Sequence, residues 1–253
     1  MMITKRYHFD VLDSTNKKAN ELAQQGCEHG TLITADAQEA GVGRRGRNWS
    51  SEKGTGIYMS MVLRPQIKTE HVSMLTLVAA LAVAKALEQK GVYEKQTPCI
   101  KWPNDLVLHK KKICGILTEL ALAGTNIDYV IVGIGINVSN QMFPDEIKET
   151  ASSILLETGK NIDRDELIVE IWNCFKNYYE LFLRTQDFSL LKEEYETYLV
   201  NKHQSVNVLD SAGSYKGTAI GITNKGELIV DTDKGKKLVS SGEVSVRGIY
   251  GYV

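Results

Sequence analysis

Apolar and polar positions follow two rhythms along this chain, one of period two and one near 3.6, and they divide it into elements. Tyr7 to Leu12 reads as a short strand. Asp13-Ser14-Thr15-Asn16 then offers cap residues, and Lys17 to Gln25 reads as a helix stopped by Gly26. Thr31 to Ala35 is a second strand. Gly56 to Leu63, rich in Tyr, Met and Val, is a third. Val72 to Gln89 is the longest helix, and its apolar positions cover most faces, which predicts burial. Cys99 to Trp102, Asp105 to His109 and Lys112 to Leu120 read as strands joined by tight turns, with Leu108 to Lys112 at a hairpin tip. Ile127 to Val138 is another strand. Strands that follow one another without intervening helices predict an α+β fold with a mixed sheet, not a doubly wound one.

Leu167 to Leu183 and Leu190 to Val200 read as helices. After Asn201 the texture changes to short strands (Ser205 to Leu209, Tyr215 to Ile222, Glu227 to Asp231, Lys237 to Val239, Val244 to Ile249) with Gly-bearing turns. That pattern predicts a small β-barrel. The expected division is therefore residues 1–200 and 201–253.

A length of 253 residues, 43% hydrophobic, suffices for a full core. The net charge of −1, from 30 basic and 31 acidic residues, argues against general nucleic-acid binding, which needs a basic surface. Cys27, Cys99, Cys114 and Cys174 have no metal-ligand spacing and read as reduced, buried thiols of a cytoplasmic protein; no metal site is expected from them or from the histidines. No signal pattern is present. The apolar run Met74 to Leu87 is too short and too interrupted for a bilayer, so no membrane is expected.

Positive charge is concentrated instead in Gly41-Val42-Gly43-Arg44-Arg45-Gly46-Arg47-Asn48-Trp49. Glycine permits close backbone approach, and guanidinium forks match phosphate oxygens. The G-x-G-x-x-G match to a dinucleotide fingerprint fails in context, because no helix follows and no acid stands about 20 residues on. A solvated basic loop is the plainer alternative, which Trp49 weakens. Lys101-Trp102-Pro103-Asn104-Asp105 gathers a cation, an aromatic, an amide and a carboxylate at a proline turn; a structural turn explains it equally well. Lys112 stands where a charged hairpin tip gives way to apolar Ile113 to Leu117. Asp13 to Asn16 is most simply a helix cap, although hydroxyls and amides there can also bind a polar ligand. Gly133-Ile134-Gly135-Ile136-Asn137 reads as a strand with close backbone packing.

Taken in order, G-x-G-R-R-G-R-x-W, K-W-P-N-D, K-x-x-G and G-x-G-I-N resemble the biotin protein ligase family over roughly residues 4 to 250. The resemblance implies a mixed-sheet catalytic domain of the biotin/lipoate ligase type and a C-terminal SH3-like barrel ending near Gly242 to Arg247. It implies that biotin and ATP, with Mg²⁺, give biotinyl-5′-AMP, and that biotin then passes to a lysine of a biotin carboxyl carrier protein. Arg44, Lys112 and Asp105 fall on the catalytic positions, with Asp105 implied to orient or deprotonate the acceptor lysine. Ser14, Thr15, Asn16, Gln38, Gly41, Val42, Gly43 and Gly115, together with Arg44 and Lys112, are implied for biotin. Arg45, Arg47, Trp49, Asn104, Asn137 and Arg247, again with Arg44 and Lys112, are implied for ATP, and the loop from Val138 to Ser153 for the adenine side. Val42 stands where the family often carries arginine, so one side-chain contact to the biotin carboxylate or acyl phosphate is missing. The pattern starts almost at Met1, so the winged-helix DNA-binding domain of some members, and DNA binding with it, is not expected. A homodimer is compatible with the resemblance. The rival readings are a lipoate ligase on the same scaffold, a catalytically silent biotin or nucleotide sensor, and an NAD-dependent oxidoreductase.

Overall fold

A computed structural model of the protein describes residues 4–97, 99–209, 213–241, 245–248 and 252. Seven strands form one sheet: β1 (Lys5–Leu12), β2 (Thr31–Gln38), β3 (Gly56–Leu63), β4 (Ile100–Lys101), β5 (Asp105–Leu108), β6 (Lys111–Ala123) and β7 (Asn126–Asn137). Their spatial order is β1-β2-β3-β7-β6-β5-β4. β1 runs parallel to β2, and the remaining neighbours are antiparallel. This is the mixed sheet that consecutive strands predicted.

Among the described residues five α-helices accompany it: α1 (Thr15–Gln24), α2 (Met74–Gln89), α3 (Ile154–Thr158), α4 (Arg164–Thr185) and α5 (Lys192–Tyr198). Strand alternation gives the sheet two different faces. Met59 and Met61 of β3, with Val132, Ile134 and Ile136 of β7, join α2 and α4 in the main core. Val62 and Ile131 point to the other face, where Ala19 and Ala23 of α1 cover them. Beyond the end of α1 that second face is left to polar residues and glycines, and the site lies there. With its preceding 3₁₀ turn, the α2 stretch Thr69–Gln89 is longer and more apolar than the sequence suggested, enough to cross a membrane by composition; here 72% of that window is buried.

α5 is shorter than expected at both ends. Leu199 and Val200 leave the helix to pair with β4, Val200 N–H donating to the Ile100 carbonyl at 3.0 Å. A second sheet follows, formed by β8 (Ser205–Leu209), β9 (Tyr215–Ile222), β10 (Leu228–Thr232), β11 (Gly235–Val239) and β12 (Ser245–Gly248), antiparallel in the order β11-β10-β9-β8-β12. Gly242, Glu243, Val244 and Ile249, expected in its last strand and motif, lie outside the described residues. Val206, Val208, Leu228 and Val230 of this sheet belong to the same buried cluster as Trp102 and Tyr195. Trp102 ties the two sheets further: its backbone N–H donates to Asn201 Oδ1, and its Nε1–H to the Gly226 carbonyl, both at 2.9 Å.

Candidate active site

The basic loop folds as a small hairpin. Val42 bridges Asn48, Gly43 N–H donates to the Arg47 carbonyl at 2.7 Å, and Trp49 N–H donates to the Gly41 carbonyl at 2.9 Å. A single 3₁₀ turn, Arg44–Gly46, makes the tip, so no helix follows the glycines, as the sequence indicated. The hairpin lays Trp49 across the sheet. Gly115 and Gly135 are cross-strand partners on β6 and β7. A Cβ on Gly135 would stand 2.6 Å from the indole, and one on Gly115 2.9 Å from it. Two adjacent glycines thus leave a flat patch that the ring occupies.

Lys112 reaches the same face through an irregularity. Asp105 pairs with Gly115 and Leu106 with Cys114, but Val107 pairs with Lys112, leaving Ile113 as an extra residue. In a regular strand Lys112 and Gly115, three apart, would point to opposite faces. A bulge of one residue restores Lys112 to the face of Asp105 and Gly115. Its Nζ lies 2.6 Å from Asp105 Oδ1 and 5.3 Å from the centre of the Trp49 ring. The other carboxylate oxygen, Oδ2, accepts a hydrogen bond from the hydroxyl of Tyr252. Lys101 lies beneath, its Nζ 3.7 Å from the centre of the Tyr252 ring.

These charges set one another. Burial pushes the Asp105 carboxyl up, but Lys112 and Lys101 outweigh it and hold the group below its ordinary value. Burial lowers Lys101 from 10.5 to about 8, against the pull of Asp105. Burial also lowers Arg44, with Asp105 opposing. Arg44 spans the site, donating to Asn104 Oδ1 at 2.8 Å and to the Ser241 carbonyl at 2.7 Å. Asn104 in turn donates to the Ile116 carbonyl at 3.0 Å.

At the start of α1, the capping reading gives way to another. Ser14 occupies the cap position but makes no side-chain cap bond. Thr15 and Asn16 are buried, and both bond across the sheet. Thr15 N–H donates to Gln38 Oε1 at 2.8 Å, and Gln38 Nε2 donates to Ser51 Oγ at 2.8 Å. Ser60 Oγ lies 2.6 Å from Asn16 Oδ1, and Asn16 Nδ2 donates to Glu119 at 2.6 Å. A Cβ on Gly133 would fall 2.0 Å from Asn16 Oδ1, so this position admits only glycine while Asn16 stays put.

Two cavities open on this face. The smaller, about 50 Å³, is lined by Ser14, Thr15, Asn16, Gln38 and the glycines beneath Trp49. The larger, about 210 Å³, is lined by Arg45, Arg47, Lys101, Asp105, Asn137 and Arg247 among others. They share Gly43, Arg44, Trp49, Asn104 and Lys112, so two cations stand where they meet. Val42 lines the smaller cavity and Gly41 lines neither: it is buried, with a position for its Cβ only 2.5 Å from the Trp49 carbonyl. Asn137 bonds the Ser152 carbonyl at 2.9 Å, fixing the loop that brings Phe143, Ile147 and Thr150 to the larger cavity.

Ser60, Glu119, Lys101 and Tyr252 were not singled out as site residues from the sequence. Lys101 carried a signal there as the cation of the Lys101-to-Asp105 motif, and Ser60 a weaker one as the hydroxyl between Met59 and Met61 in a largely apolar run. Glu119 and Tyr252 arrive only through the fold.

A family model described as Biotin/lipoate A/B protein ligase family matches residues 8–137, and one described as Biotin protein ligase C terminal domain matches residues 204–247. Bifunctional ligase/repressor BirA of Bacillus subtilis is 39% identical over 242 residues, which cover 95% of this chain and 73% of that protein. Biotin--[acetyl-CoA-carboxylase] ligase of Paracoccus denitrificans is 30% identical over 239 residues, covering 93% and 98% of the two chains. The structure of biotin protein ligase from Aquifex aeolicus in complex with biotin and ATP matches with a TM-score of 0.85 and 33% identity, covering 97% of this chain and 99% of that one. The chain belongs to the biotin protein ligase family.

Proposed function

We propose that the protein joins biotin to ATP as biotinyl-5′-AMP and passes the biotinyl group to a lysine of a biotin carboxyl carrier protein, in the cytoplasm. The observation that carries this reading is the meeting of two cavities at Arg44 and Lys112. Making an acyl-adenylate requires a carboxylate to approach an α-phosphate, two anions that repel each other. Cations at the junction offset that repulsion and stabilise charge as it develops at phosphorus.

The smaller cavity suits biotin. A ureido head has two N–H donors and one carbonyl acceptor, and Ser14, Thr15, Asn16 and Gln38 offer both kinds of partner. The larger cavity suits ATP, with Arg45, Arg47 and Arg247 toward the polyphosphate. In the first step a biotin carboxylate oxygen bonds to the α-phosphorus and pyrophosphate leaves. In the second the acceptor amine bonds to the acyl carbon, AMP leaves, and Asp105 takes the amine's proton. An ordinary lysine, with a pKa of about 10.4, is mostly charged at neutral pH; a fixed carboxylate beside it orients the amine and takes up the proton that becomes acidic as the amide bond forms.

Mg²⁺ would neutralise phosphate charge. Among the described residues Asp105 is the one carboxylate lining the larger cavity, and Lys112 and Tyr252 already hold it. The donor set therefore fits an ion carried in by the phosphates, not one caged by protein oxygens. His8, Asp10 and Asp36 cluster closely enough for a cation, but they line neither cavity.

Exchange of labelled pyrophosphate into ATP tests the first step. Exchange that needs biotin and is not supported by lipoate is expected. Biotin binding without exchange would favour a silent sensor, and exchange driven by lipoate alone would favour the lipoate ligase.

A further inference from the structure

The second half-reaction needs Asp105 free at one oxygen and fixed in direction. In the ligand-free protein both its oxygens are taken: Oδ1 by Lys112 at 2.6 Å and Oδ2 by the Tyr252 hydroxyl. These two partners differ in kind. Lys112 also lines the junction of the cavities, where phosphate would compete for its ammonium. Tyr252 lines the larger cavity as well, but its hydroxyl offers a phosphate only a neutral hydrogen bond and no charge, so it leaves Asp105 less readily than an ammonium does. Its ring is covered by the Lys101 ammonium at 3.7 Å, and Lys101 is buried. Burial and the Asp105 charge push the Tyr252 phenol well above its ordinary value, so the hydroxyl keeps its proton and remains a donor.

We infer that Tyr252 is a positioning residue for biotin transfer: it anchors Asp105 through Oδ2, so that Oδ1, once released by Lys112, is the oxygen presented to the acceptor amine. In that step the amine nitrogen bonds to the acyl carbon, the acyl–phosphate C–O bond breaks with AMP as leaving group, and the amine's proton passes to Oδ1. Arg44, Arg47, Lys101, Lys112 and Arg247 are the charged groups that face the Asp105–Tyr252 pair, and Asp105 is the one carboxylate among the described residues lining the larger cavity. The contact joins residues 147 positions apart, which gives the chain's last residues a part in chemistry at the sheet. This inference rests on the reading of Asp105 as the base.

A double-mutant cycle tests it. Preformed biotinyl-5′-AMP is bound to the wild type, Tyr252→Phe, Asp105→Asn and the double variant, and single-turnover transfer to a carrier domain is followed. Tyr252→Phe is expected to slow transfer about tenfold, roughly 1.4 kcal/mol, and to add nothing in the Asp105→Asn background, because a residue that acts through another shows full coupling to it. A wild-type rate in Tyr252→Phe, or an equal loss in both backgrounds, would overturn the inference. A wild-type rate in Asp105→Asn would instead overturn the reading of Asp105, and the inference with it. Circular dichroism melts of all four proteins separate these outcomes from unfolding.

Discussion

Asn16 illustrates how much one side chain at this site does. Its oxygen accepts from Ser60, its nitrogen donates to Glu119, and it lies on the bare backbone of Gly133. Gly133→Ala would drive a methyl group into that amide, and Asn16 would have to leave its partners. Calorimetric titration of this variant should show biotin affinity weakened tenfold or more, about 1.4 kcal/mol, with the fold intact. An unchanged Kd would mean that Asn16 has no part in holding biotin. Asp13-Ser14-Thr15-Asn16 was read from sequence chiefly as a cap, because cap and ligand-binding signals use the same residue types. Only the position of Ser60 and Gln38, on other strands, separates the two.

Between elements, the decisive feature is the loop of residues 41–49 against β6 and β7. Trp49 lies on Gly115 and Gly135 in a cavity of about 50 Å³, room for a few waters and not for a bicyclic ligand. Its buried Nε1–H has no hydrogen-bond partner among the described residues. Biotin binding must therefore move the ring, and tryptophan emission should report it. Trp102 and Trp172 are buried in the core, so Trp49 dominates any change. Emission unaltered at saturating biotin would contradict this arrangement. Val42, half exposed at the mouth of this loop, is 50% accessible and leaves space for a longer side chain. Val42→Arg should slow release of biotinyl-5′-AMP, measured by filter retention. The succession of strands along the chain was legible because β3 and β7 carry long apolar runs, whereas their order in the sheet was not. The bulge at Ile113 was not, since one extra residue leaves no compositional trace, yet it is what brings Lys112 to Asp105.

For the molecule as a whole, the sheets share one core, and the site draws residues from both ends of the chain. Arg44 meets Ser241, and Lys101 meets Tyr252. Gathering cations in a buried place costs stability. Lys101 falls from 10.5 to about 8, which corresponds to roughly 3 kcal/mol. Its folded value is the lower one, so between pH 8 and 10.5 the unfolded chain binds more protons, and stability from this group rises with pH. Lys101→Met should therefore be more stable than wild type near pH 7.5 by up to about 3 kcal/mol, with the gap narrowing toward pH 10. Urea midpoints at the two pH values would show it; a gap that does not narrow would assign the gain to packing. Such long-range pairings could not be read from sequence, whereas the ordered motifs, each modest alone, gave the family and its chemistry together.

The central claim is that this site carries biotin from ATP-driven activation to a carrier lysine, with Lys112 at the junction of the two cavities. The most direct measurement is mass spectrometry of a biotin carboxyl carrier domain incubated with the protein, biotin and MgATP. One biotinyl amide on one lysine is expected, with a rate at least a hundredfold lower for Lys112→Ala, about 2.7 kcal/mol of lost transition-state stabilisation. A folded, biotin-binding protein that leaves the carrier unmodified, or a Lys112→Ala variant as fast as wild type, would contradict it.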